Sequence, residues 1–202
     1  ETGSSVSGYD QMCNSAATTR APDDRTEAAD DRALVAALQA HDPRAPRWFV
    51  ERFSAVVHGL CRRMLGHEHD AEDAAQETFL RALRGMARFD PNRPIRPWLL
   101  GIAANRCRTA LGRRARRPRV AELGDEPDTR PTSTGELGED LERALAQVRP
   151  EYRLVFVLYH EQEQSYEDIA VALGRPIGTI KTWLHRARAE LAEQLGRRGW
   201  AE

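Results

Sequence analysis

Residues 164–190, QSYEDIAVALGRPIGTIKTWLHRARAE, decide how this chain is read, because they lay out two short helices around a glycine. The first helix offers Ile169, Ala170 and Leu173 as packing positions. Gly174 permits a left-handed turn residue, and Pro176 restarts a helix with its ring already at a helical dihedral. In the second helix Ile177, Ile180, Leu184, Ala187 and Leu191 recur at spacings of three and four, which predicts one buried stripe. The opposite face then holds Arg175, Gly178, Thr179, Thr182, His185 and Arg186, polar groups of the kind that reach base edges and phosphates in a major groove. This is the pattern of a DNA-reading helix-turn-helix. A plain two-helix hairpin inside an all-helical domain satisfies the same apolar spacing, so the surroundings of the stretch have to separate the two.

The 202 residues, 41% of them hydrophobic, suffice for one medium core or two small ones. A formal net charge of −1 conceals a segregated distribution. Residues 106–119 carry seven arginines and no acid, whereas residues 120–142 carry eight acids against Arg130 alone. A nearly neutral chain with one concentrated basic segment suits a single polyanion contact and does not suit coating nucleic acid. Cys13, Cys61 and Cys107 are too few and too scattered for a disulfide framework, and no apolar run approaches the roughly 20 residues of a membrane span. A soluble, reducing, cytoplasmic setting is the expectation. Residues 1–27, rich in Ser, Thr, Ala and Asp without periodicity, read as a disordered tail, with the stretch before Met12 as a fusion remnant.

From about 30 to 118 the pattern is helical throughout. A short helix is expected over Asp31–Ala40. A second carries Trp48, Phe49, Phe53, Val56, Val57, Leu60 and Met64 as an apolar stripe ended by Gly66. A third, from about His69 to Met86, packs Ala71, Ala75, Phe79 and Ala82 and leaves Asp70, Asp73, Gln76, Glu77 and Leu80 on the other side. The proline-punctuated PNRPIRP then leads into a fourth helix beginning near Pro97. There Leu99, Ala103, Cys107 and Ala110 fall together, and Trp98, Ile102, Asn105, Thr109, Arg113 and Arg116 fall elsewhere on the wheel. Residues 115–135 contain Pro118, Pro127 and Pro131 with no apolar period and read as a linker. A second helical module follows over about 136–195, and no stretch alternates as a strand would.

The order of acidic helix, proline-rich loop, Trp-bearing basic helix, linker and helix-turn-helix resembles the group IV, or extracytoplasmic-function (ECF), sigma factors of bacterial RNA polymerase, within the sigma-70 family. DAEDAAQETFLRALR (70–84) is similar to that family's core-polymerase-binding helix, RPWLLGIAANRCRTALGRR (96–114) to its minus-ten reading helix, and GTIKTWLHRARAEL (178–191) to its minus-thirty-five recognition helix. The resemblance implies an all-α fold of two small domains, a region-2 type over 28–114 and a region-4 type over 136–196, with a flexible linker over 115–135 and a short tail over 197–202. It implies promoter recognition and DNA opening as an initiation subunit, not an enzyme, with no cofactor. The implied partners are the β′ coiled coil and β flap of core polymerase, promoter DNA and an anti-sigma factor.

Carried over by position, Asp70, Asp73, Gln76, Glu77 and Leu80 are implied to meet polymerase, the carboxylates giving steering and register and Leu80 the apolar contact. Asn92, Arg93, Ile95, Arg96, Trp98, Asn105, Arg108, Thr109 and Arg113 are implied to bind the minus-ten element. The loop from about Phe89 to Pro97 would hold an extruded base, with Trp98 behind it. Arg175, Gly178, Thr179, Lys181, Thr182, Trp183, His185 and Arg186 are implied to bind the minus-thirty-five element. Two positions depart from the family pattern. Thr109 stands four residues after Asn105 where an acid is common, and Trp183 stands where many members carry Arg. Trp183 at the edge of the stripe either packs on a neighbouring helix or touches a thymine methyl or sugar.

Other function classes fit less well. His58, Cys61, His67 and His69 include metal-ligand types, but Cys61 lies on an apolar stripe and the His67-Glu68-His69 run falls at a helix junction, so no metal site is expected. Cys107, on the packing side of its helix, reads as a small core residue. A one-component helix-turn-helix regulator acting without core polymerase is the alternative, and it needs a ligand pocket or phospho-acceptor domain that residues 30–118 do not suggest. No phosphate-binding glycine loop, carboxylate dyad or nucleophile-base pair marks an enzyme, so no catalytic residue is assigned.

Overall fold

The computed structural model describes residues 24–116 and 136–199, and every regular element among them is a helix. In chain order these are α1 (Asp24–Gln39), α2 (Ala45–Leu65), α3 (Glu68–Gly85), a 3-10 turn (Met86–Arg88), α4 (Ile95–Arg116), α5 (Glu136–Gln147), α6 (Pro150–His160), α7 (Tyr166–Leu173) and α8 (Ile177–Gly196). The expected tail lies outside the described residues as far as 23, and the expected linker from 117 to 135. No helix among the described residues is long and apolar enough to cross a membrane.

Local chemistry explains the helix ends. Gly66 stops α2 at φ 73°, in the left-handed region that glycine enters without penalty, and its N–H caps the Arg62 carbonyl. Gly174 does the same for α7 at φ 61° and ψ 42°. Ser165 begins α7 as its N-cap, its Oγ accepting from the Asp168 N–H at 3.0 Å. Helix α1 starts at Asp24 and not at Asp31, because Glu27, Ala28 and Ala29 are good helix formers even where no apolar period marks them. Helix α4 likewise starts at Ile95 and not near Pro97. A proline in the first helical turn removes an N–H that has no intrahelical partner there, so Pro97 sits inside the first turn. Its other end, Arg116, reaches two residues into the stretch expected as linker.

The first core joins α2, α3 and α4. Phe49, Phe53, Val57, Leu60, Cys61 and Met64 are buried along α2, against Ala71, Ala75, Phe79 and Ala82 of α3. Phe49 meets Phe53 and Phe79 edge to face, with ring centres 5.4 and 5.7 Å apart, an arrangement favoured by the ring quadrupole. Thr78 is buried too, its hydroxyl donating to the Ala74 carbonyl at 2.6 Å. Cys107 of α4 packs its Sγ 3.8 Å from Cys61, and the neighbouring sulfur together with burial pushes the Cys61 thiol far above its ordinary pKa. Trp48, expected within the stripe, is 46% exposed. One residue before Phe49 it falls at the stripe's edge, where the Arg44 guanidinium lies 5.3 Å from its ring. With Asp30, Ala33, Leu34, Ala37, Glu51 and Arg52 it lines an open groove of about 570 Å³ between α1 and α2.

The two modules are packed together, and α4 makes the joint. Leu99, Ala103 and Cys107 face the first core, while Leu100, Gly101 and Ala104 are equally buried beside them. At about 100° per residue these six positions span roughly 200° of the helix, which leaves Trp98, Ile102, Asn105, Thr109 and Arg113 on the remaining arc. Gly101 lies against α7 so closely that a Cβ there would sit 2.7 Å from the Ala172 carbonyl oxygen. Leu154, Leu158, Ile169, Ile180 and Leu184 of the second module therefore share a cluster with the first. A smaller cluster of Ala144, Leu145, Val148, Tyr152, Ala187 and Leu191 joins α5, α6 and α8. Polar contacts bridge the joint as well. The Arg63 guanidinium pairs with Glu142 at 2.7 Å and Glu161 at 2.9 Å, and Arg153 donates to the Met64 carbonyl at 3.0 Å, its pKa lowered by burial.

Because backbone, not a flexible side chain, blocks added volume at position 101, Gly101→Leu should cost about 1–3 kcal/mol of stability. It should also enlarge the radius of gyration measured by small-angle X-ray scattering.

Candidate polymerase and nucleic-acid interfaces

Helix α3 presents the first candidate surface. Its buried side, Ala71, Ala74, Ala75, Thr78 and Phe79, faces the core, so helical geometry turns Asp70, Asp73, Gln76 and Leu80 to solvent. Leu80 is 48% exposed, an apolar group left open among the described residues. Glu77 is half-buried and accepts from Arg81 Nε at 2.6 Å, while Asp73 has His69 at 3.8 Å. Exposed pairs of this kind contribute little to stability, so these carboxylates remain available to a partner.

The loop between α3 and α4 is the second. Asp90 folds it locally: its Oδ1 accepts from the Asn92 N–H at 2.9 Å, and its carbonyl from the Arg93 N–H at 3.0 Å. Asn92 and Arg93 are exposed. Gln39, at the end of α1, anchors the loop's start by donating to the Met86 carbonyl at 3.1 Å and the Phe89 carbonyl at 2.8 Å. Nothing in the local spacing around Gln39 signals that contact, which spans 47 and 50 residues. Trp98 is half-buried, its ring centre 4.7 Å from that of Phe89, with Gly85 beside its ring. The structure corrects one expected member of this site. Ile95 is 2% exposed, because as the first residue of α4 it plugs the core beneath the loop, so it is unavailable to DNA. Arg96 is half-buried, and its Nε has no hydrogen-bond partner among the described residues.

Along the outward arc of α4, Asn105 is exposed and engaged with its neighbours. Arg108 donates to its side-chain oxygen, and the Thr109 hydroxyl donates to its carbonyl at 2.8 Å. Arg113, one turn on, is exposed. The arc is continuous with Trp98, so loop and helix form one surface that combines amide, guanidinium and aromatic groups.

Helix α8 is the third. Ile180, Leu184, Ala187 and Leu191 are buried, which leaves Gly178, Lys181, Thr182, His185 and Arg186 exposed and Thr179 half-buried. Ile177, expected in the buried stripe, is 39% exposed. It is the first helical residue after the extended Pro176 and projects from the open end of the helix, beyond the cover of α7. Arg175 is exposed in the turn. Of the two expected environments for Trp183, the structure shows packing: half-buried, it bridges both clusters with its ring centre 6.4 Å from that of Tyr152. Thr182 bonds back to the Gly178 carbonyl at 2.8 Å.

Family comparisons match this layout. The sigma-70 region 2 model matches residues 49–117, and the sigma-70 region 4 model matches residues 138–191. The ECF RNA polymerase sigma factor SigE of Mycolicibacterium smegmatis is 32% identical over 187 residues, covering 86% of this chain and 72% of the relative. SigW of Bacillus subtilis, also an ECF sigma factor, is 32% identical over 164 residues, covering 72% of this chain and 86% of the relative. Among solved structures, CnrH in complex with the cytosolic domain of CnrY superposes with a TM-score of 0.65 at 25% identity, covering 83% of this chain and 97% of that one. The sigma factor RpoE bound to the anti-sigma factor NepR from Bartonella quintana shares the fold at the same TM-score, with 24% identity, 76% of this chain and 98% of that one. The chain belongs to the ECF sigma factors of the sigma-70 family.

At the end of α6, His160 is exposed at its outer edge, its ring against Phe156 and Tyr159 with ring centres at 4.6 and 4.9 Å, and the Arg188 guanidinium lies 3.3 Å from its Nε2. Partial burial first, and the Arg188 charge second, lower its pKa below the ordinary 6.5. The unfolded chain therefore takes up a proton that the folded ring resists, and stability should fall as pH drops through about 6.5 toward the lower folded value. Thermal midpoints compared between wild type and His160→Gln should show a smaller acid-side loss in the variant.

Proposed function

We propose that this chain is the promoter-specificity subunit of RNA polymerase, working in the cytoplasm and performing no chemistry of its own. The observation that supports this best is the separation of three unlike surfaces on one fold: an acidic face with a bare leucine, a loop-and-helix face with an aromatic ring, and a polar helix face. In this reading residues 28–114 form the region-2 domain and 136–196 the region-4 domain. Asp70, Asp73, Gln76, Glu77 and Leu80 dock on the β′ coiled coil, and the region-4 domain engages the β flap. Asn92, Arg93, Arg96, Trp98, Asn105, Arg108, Thr109 and Arg113 bind the opened minus-ten strand. Extruding a base from the stack costs a few kcal/mol. A ring to stack on and guanidinium groups for the strand offset that cost. Arg175, Gly178, Thr179, Lys181, Thr182, His185 and Arg186 bind the minus-thirty-five duplex, while Trp183 is packed behind them. An anti-sigma factor is the proposed inhibitory partner, in line with the sigma factor RpoE captured with NepR.

Reversing charge with Asp73→Lys and Glu77→Lys should abolish co-purification with core polymerase without changing helicity measured by circular dichroism. Undiminished binding would overturn the docking assignment.

The two DNA surfaces should also separate by template. Thr182→Ala with Arg186→Ala should weaken open-complex formation on duplex promoters and spare a pre-melted bubble. Asn92→Ala with Arg96→Ala should impair the bubble as well. Equal losses on both templates for both variants would refute the division of labour.

A further inference from the structure

The cations around α8 are seated on aromatic rings in two rows. In one row the Arg175 guanidinium lies 5.9 Å from the ring centre of Trp183, whose ring is 6.4 Å from that of Tyr152. Arg186 closes that row, 5.9 Å from the Tyr152 ring and donating through Nη1 to the phenol oxygen at 2.9 Å. In the other row Lys181 Nζ lies 5.6 Å from the ring of Tyr166. Tyr166 stacks on Tyr159 at 4.9 Å and 22°, and Arg188 lies 5.8 Å from Tyr159. At about 100° per residue, Arg186 and Lys181 fall on opposite sides of the exposed strip Gly178, Thr182 and His185. The two rows bracket that strip like rails.

We infer that Tyr152, Trp183 and Tyr166 are positioning residues for DNA binding, presetting Arg186, Arg175 and Lys181 as phosphate contacts on either side of the groove-facing strip. The inference rests on the proposal that α8 meets duplex DNA, and it assigns a role to rings packed beneath the cations. A long exposed cation has many rotamers, and immobilising it at an interface opposes binding. A ring beneath the cation narrows those rotamers before DNA arrives, while the face of the charge away from the ring stays open to a phosphate oxygen. The rings come from α6, α7 and α8, so only the folded module assembles the rows. The departure at Trp183 acquires a role: it links Arg175 to Tyr152, where an arginine would place a repelling charge between them.

Tyr152→Phe is the sharpest probe, because it keeps the buried ring and removes only the oxygen that accepts from Arg186. The experiment measures binding of wild type, Tyr152→Phe, Arg186→Ala and the double variant by fluorescence anisotropy. The probe is the duplex most enriched by wild-type holoenzyme from a random-sequence library, titrated over a range of salt. Tyr152→Phe should weaken binding about two- to five-fold with the salt slope unchanged. Arg186→Ala should lower both affinity and slope, the slope by about one. Adding Tyr152→Phe to Arg186→Ala should then do nothing further. As an independent check, Tyr166→Leu should lose about the same factor only when Lys181 is present. Equal loss from Tyr152→Phe in both backgrounds, or no loss in wild type, would overturn the inference while leaving the duplex assignment standing. Full binding by a triple Arg175→Ala, Lys181→Ala, Arg186→Ala variant would overturn both.

Discussion

Helix α4 is buried on two adjoining faces, and every surface assigned a role is placed by that burial. Leu99, Ala103 and Cys107 fit the α2–α3 core, and Leu100, Gly101 and Ala104 fit the second module. Up to Cys107 only an arc of the helix stays open, carrying Asn105, and the last turn, with Arg113, is exposed all round. Small residues make this possible. Where a Cβ would collide with the Ala172 carbonyl, glycine lets two helices approach and exchange dispersion contacts along their length. Its entropic penalty inside a helix, about 1 kcal/mol relative to alanine, is offset by that packing.

The same constraint explains the order of the surfaces. With its apolar side spent on α2 and α4, α3 is left to present its acids together with His69, Gln76, Leu80 and Arg81. With most of its apolar side spent on α6 and α7, α8 presents its polar strip and flanking cations, with Ile177 open at its start. The proline-rich loop is held at both ends, by Gln39 at Met86 and Phe89 and by the buried Ile95 at the start of α4. Asn92 and Arg93 thus project from a tethered loop, which suits capture of a strand that has already left the duplex.

Much of this was legible in the residues, and what was not has identifiable causes. The stops at Gly66 and Gly174 are local, since a left-handed residue ends a helix wherever the chain needs one, and spacing alone revealed them. The one-sided stripes of α2 and α3 follow from periodicity, as does the packing of Ile180, Leu184, Ala187 and Leu191. Periodicity misled at edges: Trp48 and Ile177 match the spacing, but one lies at the rim of its stripe and the other beyond the covering helix. Ile95 reads as part of the loop because Pro97 marks a helix start close by, whereas its burial depends on the core beneath the loop. The second buried face of α4 left no local signal, because Gly101 in a helix reads as a weak helix former until Ala172, 71 positions away, is beside it. Trp183 stood between packing and DNA on the wheel, and only the position of Tyr152 decided it.

The central claim is that these surfaces act through polymerase and not alone. Run-off transcription on a library of genomic fragments, with core polymerase in the presence and absence of the chain, tests it directly. Discrete transcripts should appear only when both are present, starting downstream of two shared sequence blocks at a fixed spacing. Identical transcripts from core polymerase with and without the chain, despite binding of the chain to duplex DNA, would contradict it and favour a regulator that works without core polymerase.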